Sequence, residues 1–390
     1  MTTSTSESPA SERAQAVHRR AIIVDGHCDT PYRLRRVGLH IDDATDVHAQ
    51  VDLTKLRQSG ITASFFAAYV PPFYAGRGAA KFADELIDLI YEQAGRHPEQ
   101  LTMTRDSTGI REAKREGKVA VMIGVEGGHA IEDSLDTLHH LYDRGARYLT
   151  LTHVNTNNWA DSSGDQTRHN GLTSFGRDVV KTMNDLGMIV DISHVSDRAF
   201  YHALETTRVP IIASHSSCRA LTNHPRNMTD TMLKDLAANG GVCMINFFSA
   251  FVNDGVAEVM KKAAKRPGRS QPLGANEELP DDRMDWDEYL TWFQSLGCPR
   301  ATLDDVVNHI MHAAEVAGPD HVGIGSDFDG VPSLPDGLAD AGSLPMLTEA
   351  LLSRGVAESD VEKILGANFL RTFEAIERGA RVQTELGVSR

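Results

Sequence analysis

Short apolar runs alternate with amphipathic stretches along most of this chain. Eight of the runs read as strands, at residues 22–26, 62–69, 119–125, 148–152, 189–192, 210–213, 242–246 and 322–325. Most are aliphatic or β-branched and nearly continuous, the pattern of strands buried on both faces of a parallel sheet. The stretches between them read as helices with recognisable ends. In "TSFGRDVVKTMNDLG", Val179, Val180, Met183 and Leu186 share one face, and Gly187 stops the helix. "TLDDVVNHIMHAAEVAGP" opens on a Thr302 and Asp305 capping pattern and closes at Gly318-Pro319. Eight strands with interleaved helices predict a (β/α)8 TIM barrel. The competing reading is an open doubly wound sheet, but no GxGxxG follows the first strand to support it.

One connection is long. Residues 247–301, after the seventh predicted strand, are expected to form a lid or interface insertion rather than structureless loop. Residues 1–14, rich in Ser, Thr and Glu, read as a disordered leader. Residues 15–380 then form a single domain, and 381–390 a C-terminal tail.

The 390 residues carry a formal net charge of −15, which argues against nucleic acid or an anionic membrane surface as partner. Four cysteines (Cys28, Cys218, Cys243 and Cys298) show no paired spacing, so neither a disulfide framework nor a thiolate zinc site is indicated. The polar opening "MTTSTSESPASERAQ" has no apolar core for a secretory signal, and "RGARVQTELGVSR" no tail for a lipid anchor. A cytoplasmic location is the expectation.

Reactive groups of a parallel barrel gather at the C-terminal ends of its strands. Here strand 1 ends in His27-Cys28-Asp29, strand 3 in Glu126, strand 4 in His153, strand 5 in His194, strand 6 in His215 and strand 8 in Asp327. Each has an ordinary explanation: a hydrogen-bonded structural histidine, a carboxylate accepting backbone amides, or a helix cap. Six strand ends supplying such residues around one mouth fit a hydrated divalent metal centre better, because imidazole and carboxylate suit Zn²⁺ with a position left for water. There are too many for one tetrahedral ion, whereas two ions roughly 3.5–4 Å apart would use them all. His139, His140, His309 and His312 fall in helical patterns and read as surface or packing residues. Cys28 points away from its two neighbours along a strand and reads as a core thiol.

These residues lie in "VDGHCDTP", "IGVEGGHAI", "RYLTLTHVNTNNWAD", "DISHVS", "ASHSSCRAL", "HPRNMTD" and "HVGIGSDFDGVP". From about Val24 to about Phe373 the sequence resembles the membrane (renal) dipeptidase family, peptidase family M19, of the amidohydrolase superfamily. The resemblance implies a barrel with two zinc ions that hydrolyses dipeptides, including those with a D-residue at the C-terminal side. His27 and Asp29 would hold one zinc, His194 and His215 the other, with Glu126 bridging. His153 would contact the scissile carbonyl, Arg226 the tetrahedral intermediate or substrate carboxylate, and Asp327 the water proton and substrate amine. The family's H-N-D-L-P reads "HCDTP" here, with Cys28 and Thr30 replacing Asn and Leu. A homodimer is the assembly the resemblance implies. The alternatives are hydrolysis of lactones, cyclic amides or N-acyl amino acids on the same barrel, or a non-catalytic metal-binding barrel.

Overall fold

The computed structural model describes residues 10–43, 49–263 and 282–385. Among the described residues there are nine strands, all parallel: β1 (Val24–Cys28), β2 (Ala63–Tyr69), β3 (Leu101–Met103), β4 (Val119–Glu126), β5 (Ala146–Thr150), β6 (Ile189–Asp191), β7 (Ile212–Ser216), β8 (Val242–Ile245) and β9 (Val322–Ile324). Eight of them close a barrel. β1 pairs with β2 and β9, and β2 pairs with β4 from Ala63↔Ala120 to Tyr69↔Glu126. β4 continues the ring into β5, and neighbours follow in order round to β9. The fold is the expected (β/α)8 barrel.

The ninth strand, β3, was not expected. It pairs only with the first residues of β4, Leu101↔Val119 to Met103↔Val121, whereas β5 takes the second half of β4 from Ile123 onward. Three residues are too few for a periodic signal.

Alternate residues of each strand face opposite ways. Val24, Phe65, Met122, Tyr148 and Met244 pack together, closed off by Phe369 and Phe373 of the helix Asn368–Glu385. Phe66, Val121, Ile123 and Ile245 belong to the larger layer beneath the surrounding helices. Within the inner set Phe65 meets Phe369 edge-on at 5.5 Å and lies tilted against Tyr148 at 4.8 Å, and the Tyr148 ring stacks on His27 at 6.2 Å. The apolar filling thus ends directly beneath the first of the mouth residues. Gly124 makes room for it: a Cβ there would sit 2.0 Å from the Tyr148 ring.

The domain edges differ from expectation. The helix Glu12–Arg20 starts inside the stretch read as a leader, capped by Ser11. Ala14 and Val17 are buried, and His18 Nδ1 lies 2.7 Å from Thr348 Oγ1. An apolar face at i and i+3 outweighs the polar composition around it. Residues 1–9 lie outside the described residues. At the other end, Asn368–Glu385 continues into the expected tail. The described parts of the 247–301 insertion form helices Ser249–Val252, Asp254–Lys262 and Asp282–Ser295, and 264–281 lie outside the described residues. Phe248, Val256 and Phe293 pack with Val331 in a cluster of their own.

Candidate metal centre at the barrel mouth

All eight residues singled out in the sequence meet at the C-terminal mouth of the barrel. His27 and His215 lie within β1 and β7, Glu126 ends β4, and Asp29 follows β1. His153, His194 and Asp327 each stand three residues beyond a strand, where the chain has begun to turn. His194 (φ 68°) and Asp327 (φ 63°) take left-handed backbone conformations. Non-glycine residues seldom adopt them, and such strain concentrates at functional sites.

The donor atoms form three overlapping groups, within each of which they lie no more than 4.8 Å apart: His27, Glu126 and His215; Glu126, His153 and His194; His27, Asp29 and Asp327. Glu126 belongs to two of them. Its Oε1 lies 3.0 Å from His194 Nε2, 3.4 Å from His215 Nε2 and 4.0 Å from His153 Nε2. Its Oε2 lies 3.6 Å from His27 Nε2, which is 3.4 Å from Asp29 Oδ2. His194 Nε2 and His215 Nε2 are 3.0 Å apart. Among the described residues, buried His27 Nε2 and Asp29 Oδ1 have no hydrogen-bond partner. Lone pairs crowded together without protons to share are the condition that a cation relieves, so this donor set fits a divalent metal.

For two of the histidines the electrostatics agree, whereas Glu126 and His27 share a buried site that favours protons on both without a cation. Burial holds the Glu126 carboxyl well above the usual range, against the pull of His27. Burial lowers His194 and His215 well below the ordinary imidazole value, aided by Arg226 and neighbouring histidines. Both rings are therefore kept neutral, as ligands must be. For His27 burial also acts downward, but Glu126 and Asp29 reverse it and raise the ring to about 10. Asp327 is raised by burial.

The two strand ends that offered no histidine or carboxylate contribute as well. At the end of β2, the Tyr69 ring packs edge-on against His153 at 4.7 Å. Just after β8, Asn246 donates through Nδ2 to Asp327 Oδ2 at 2.7 Å. Gly330 closes over the site where a Cβ would meet Asp29 Oδ2 at 2.0 Å. Arg226 is buried beside the histidines; its Nη2 donates to His215 O at 3.1 Å and Nη1 to Ser216 Oγ at 3.3 Å, over the Phe251 ring. Its Nε has no partner among the described residues, and burial pushes it down to about 10.

The residues set aside in the sequence lie elsewhere. Cys28 is buried with its Sγ 3.6 Å from Ser64 Oγ, and Thr30 donates to Asp329 Oδ2 at 2.8 Å. His309 is a core residue, and His129, to which the sequence assigned no role, contacts Val70 O through Nε2. His140 and His312 pair with Asp84 and Asp230.

A closed parallel barrel with imidazoles and carboxylates drawn together at its mouth defines a metal-dependent hydrolase. The chain belongs to the membrane dipeptidase family, peptidase family M19, whose profile matches residues 11–386. It is an enzyme of that class, a hydrolase acting on dipeptides. Dipeptidase verJ of Clonostachys rogersoniana is 34% identical over 380 residues, 94% of this chain and 87% of its own length. The probable dipeptidase PvdM of Pseudomonas aeruginosa superposes with a TM-score of 0.78 at 26% identity, covering 95% of this chain and 98% of that one. Dipeptidase AC, a metallopeptidase, gives a TM-score of 0.75 at 25% identity, covering 91% and 98%. Among the described residues no helix is long and apolar enough to cross a membrane.

Proposed function

We propose that the chain is a two-zinc dipeptidase whose range includes L-Xaa-D-Xaa substrates, with the barrel and the helices Glu12–Arg20 and Asn368–Glu385 as one catalytic unit. The observation that carries this reading is the division of the Glu126 carboxylate, one oxygen toward His194 and His215 and the other toward His27. His27 and Asp29 would hold one ion, His194 and His215 the other, and Glu126 both. Nitrogen and oxygen donors without sulfur suit Zn²⁺. Two such cations supply a water acidic enough to act at neutral pH and a Lewis acid for the scissile carbonyl.

The protein's own groups do the rest. His153 stands beside Glu126 on the more open side and donates a hydrogen bond to the carbonyl oxygen as negative charge develops there. Asp327 takes the proton released by the attacking water and hands it to the departing amine. Burial raises its affinity for a proton, which helps the carboxylate take that proton and hold it between the two events. Asn246 fixes one of its oxygens, and the carboxylate is grouped with His27 and Asp29. Arg226, anchored through both Nη atoms, offers its guanidinium to the substrate carboxylate or the tetrahedral intermediate.

Steady-state kinetics on a panel of L,L- and L,D-dipeptides, lactones and N-acyl amino acids, alongside metal analysis, test the reading. Dipeptides should give the highest kcat/KM with two zinc ions per chain. Turnover confined to lactones or N-acyl amino acids, or a chain that binds no zinc, refutes it.

A further inference from the structure

Two of the strand ends read Ser-His, at Ser193-His194 and Ser214-His215, and the reaction uses only the histidines. The serines and a buried carboxylate behind them form a connected set. Asp191, the last residue of β6, accepts four hydrogen bonds. Its Oδ1 receives Ser214 N–H at 2.8 Å and Ser193 N–H at 3.1 Å, and its Oδ2 receives the Thr150 hydroxyl at 2.6 Å and the Ser214 hydroxyl at 2.7 Å. Ser214 Oγ also lies 2.7 Å from His215 Nδ1. Every member is fully buried.

The direction of these bonds is determined. Two of the neighbours are backbone amides, which only donate, and an ionised carboxylate has no proton to return, so both hydroxyls donate to it. Ser193 Oγ, 3.3 Å from Ser214 Oγ, is then left the donor of that contact. The single hydroxyl proton of Ser214 therefore points to Asp191, and its oxygen has only lone pairs to offer His215. Nδ1 must then carry the ring proton, which leaves a bare lone pair on Nε2, facing Glu126 Oε1 and His194. The corresponding contact at His27 differs: Nδ1 lies 2.6 Å from Tyr148 Oη, and a phenol can donate or accept, so it does not set the tautomer by itself.

We propose that Asp191 and Ser214 are positioning residues that fix the Nδ1–H tautomer and orientation of His215, keeping its Nε2 ready to ligate a divalent cation. Carboxylate partners of this kind orient ligand imidazoles and raise their basicity. The inference rests on the metal-centre reading above and adds the residues that ready one of its ligands.

Two measurements test it on the full chain. The first is ¹⁵N NMR of the histidine rings in metal-free protein, with His215→Gln identifying the signal. Wild type should show the Nδ1–H form of His215. Asp191→Asn, which keeps the shape of the carboxylate, can donate its amide to Ser214 and turn the serine proton toward the ring, so the Nε2–H form should appear. The second is stepwise removal of zinc from the holoenzyme by a competing chelator. Ser214→Ala and Asp191→Asn should each release one ion at roughly 10–100-fold lower chelator than wild type and hold the other unchanged. A His215 that is Nε2–H in wild type, or a tautomer unaltered in Asp191→Asn, overturns the proposal. A wild type that holds two ions beside variants with unchanged release also overturns it, and leaves the metal-centre reading standing. A wild type that binds no zinc overturns both.

Discussion

Glu126 turns its two carboxylate oxygens to different histidines, Oε1 to His194 at 3.0 Å and Oε2 to His27 at 3.6 Å. Its carboxylate touches both sides of the mouth, so removing its charge should affect both ions together. Glu126→Gln keeps the volume and loses one ligand oxygen. Loss of a hydrogen-bonded partner behind a ligand costs about 10–100-fold in affinity or activity, so replacing the shared ligand should cost more than about 100-fold in dipeptide turnover. Metal analysis after gel filtration should find fewer than two zinc ions per chain. The metal-free variant should unfold no earlier than metal-free wild type, because a buried carboxyl that favours its neutral form loses little by becoming an amide. Two zinc ions retained at full turnover would remove Glu126 from the centre.

Gly124 faces the Tyr148 ring so closely that a Cβ would lie 2.0 Å from it. Gly124→Ala should therefore push the ring away from Phe65 and displace the hydroxyl that meets His27 Nδ1 at 2.6 Å. Overpacking of this kind costs about 1–3 kcal/mol, measurable as a lower urea midpoint. Zinc affinity should fall with it, since His27 loses its support. A variant as stable as wild type with unchanged zinc binding would show that the barrel interior yields freely at this point.

Asp327 and Asn246 form the pair from which proton transfer is argued. Asp327→Asn keeps the side-chain shape and a hydrogen bond with Asn246 by rotating its amide oxygen toward Nδ2, but it cannot carry a proton between water and amine. General acid–base assistance is worth about 10²–10⁴-fold, and a loss of that size in kcat is expected while both zinc ions remain bound. Unchanged turnover would refute the assigned role. Loss of one ion would make Asp327 a ligand, as its grouping with His27 and Asp29 allows.

Seven of the eight residues that were readable in the sequence share one property: they are charged or metal-liganding side chains at the ends of continuous apolar runs, whereas Arg226 was legible only through the resemblance carried by "HPRNMTD". His27, Glu126 and His215 stand out because so few such groups interrupt a buried strand. Tyr69 and Asn246 occupy equivalent ends, but an aromatic or an amide in that position is ordinary and becomes informative only when its neighbour across the barrel is known. Tyr148 was legible as a strand residue and not as a support for His27, because β2 and β4 separate β1 from β5 and their registers are a tertiary property. Asp191 and Thr150 were hidden for the same reason: the contact between them spans 41 residues. The helix Glu12–Arg20 was masked by composition, since Ser, Thr and Glu dominate the window and the two alanines at 10 and 14 are too small to mark a face.

His309 and His129 lie outside the donor set and bear on acid stability. Cys218 N–H donates to His309 Nδ1 at 3.0 Å, so the ring proton is on Nε2, where Val252 O accepts at 3.2 Å. A second proton would break the first of these bonds in a buried site. Burial lowers both His309 and His129 to about 4 against the ordinary 6.5. In the unfolded chain each takes up a proton near pH 6.5, whereas in the folded chain each stays neutral until about pH 4. Between those values the unfolded state binds more protons, so stability falls as the pH falls. The contribution is intact above pH 6.5, lost progressively toward pH 4 and constant below that. Each ring accounts for roughly 3 kcal/mol across the window. Urea unfolding of metal-free protein at intervals from pH 7 to pH 4.5 should show this slope, and His309→Gln, which cannot titrate, should reduce the proton uptake on unfolding by about one. That variant starts from a lower stability at pH 7, because glutamine fills the imidazole site imperfectly; the slope and not the intercept carries the result. Coincident slopes for variant and wild type would mean that His309 is already charged in the folded protein.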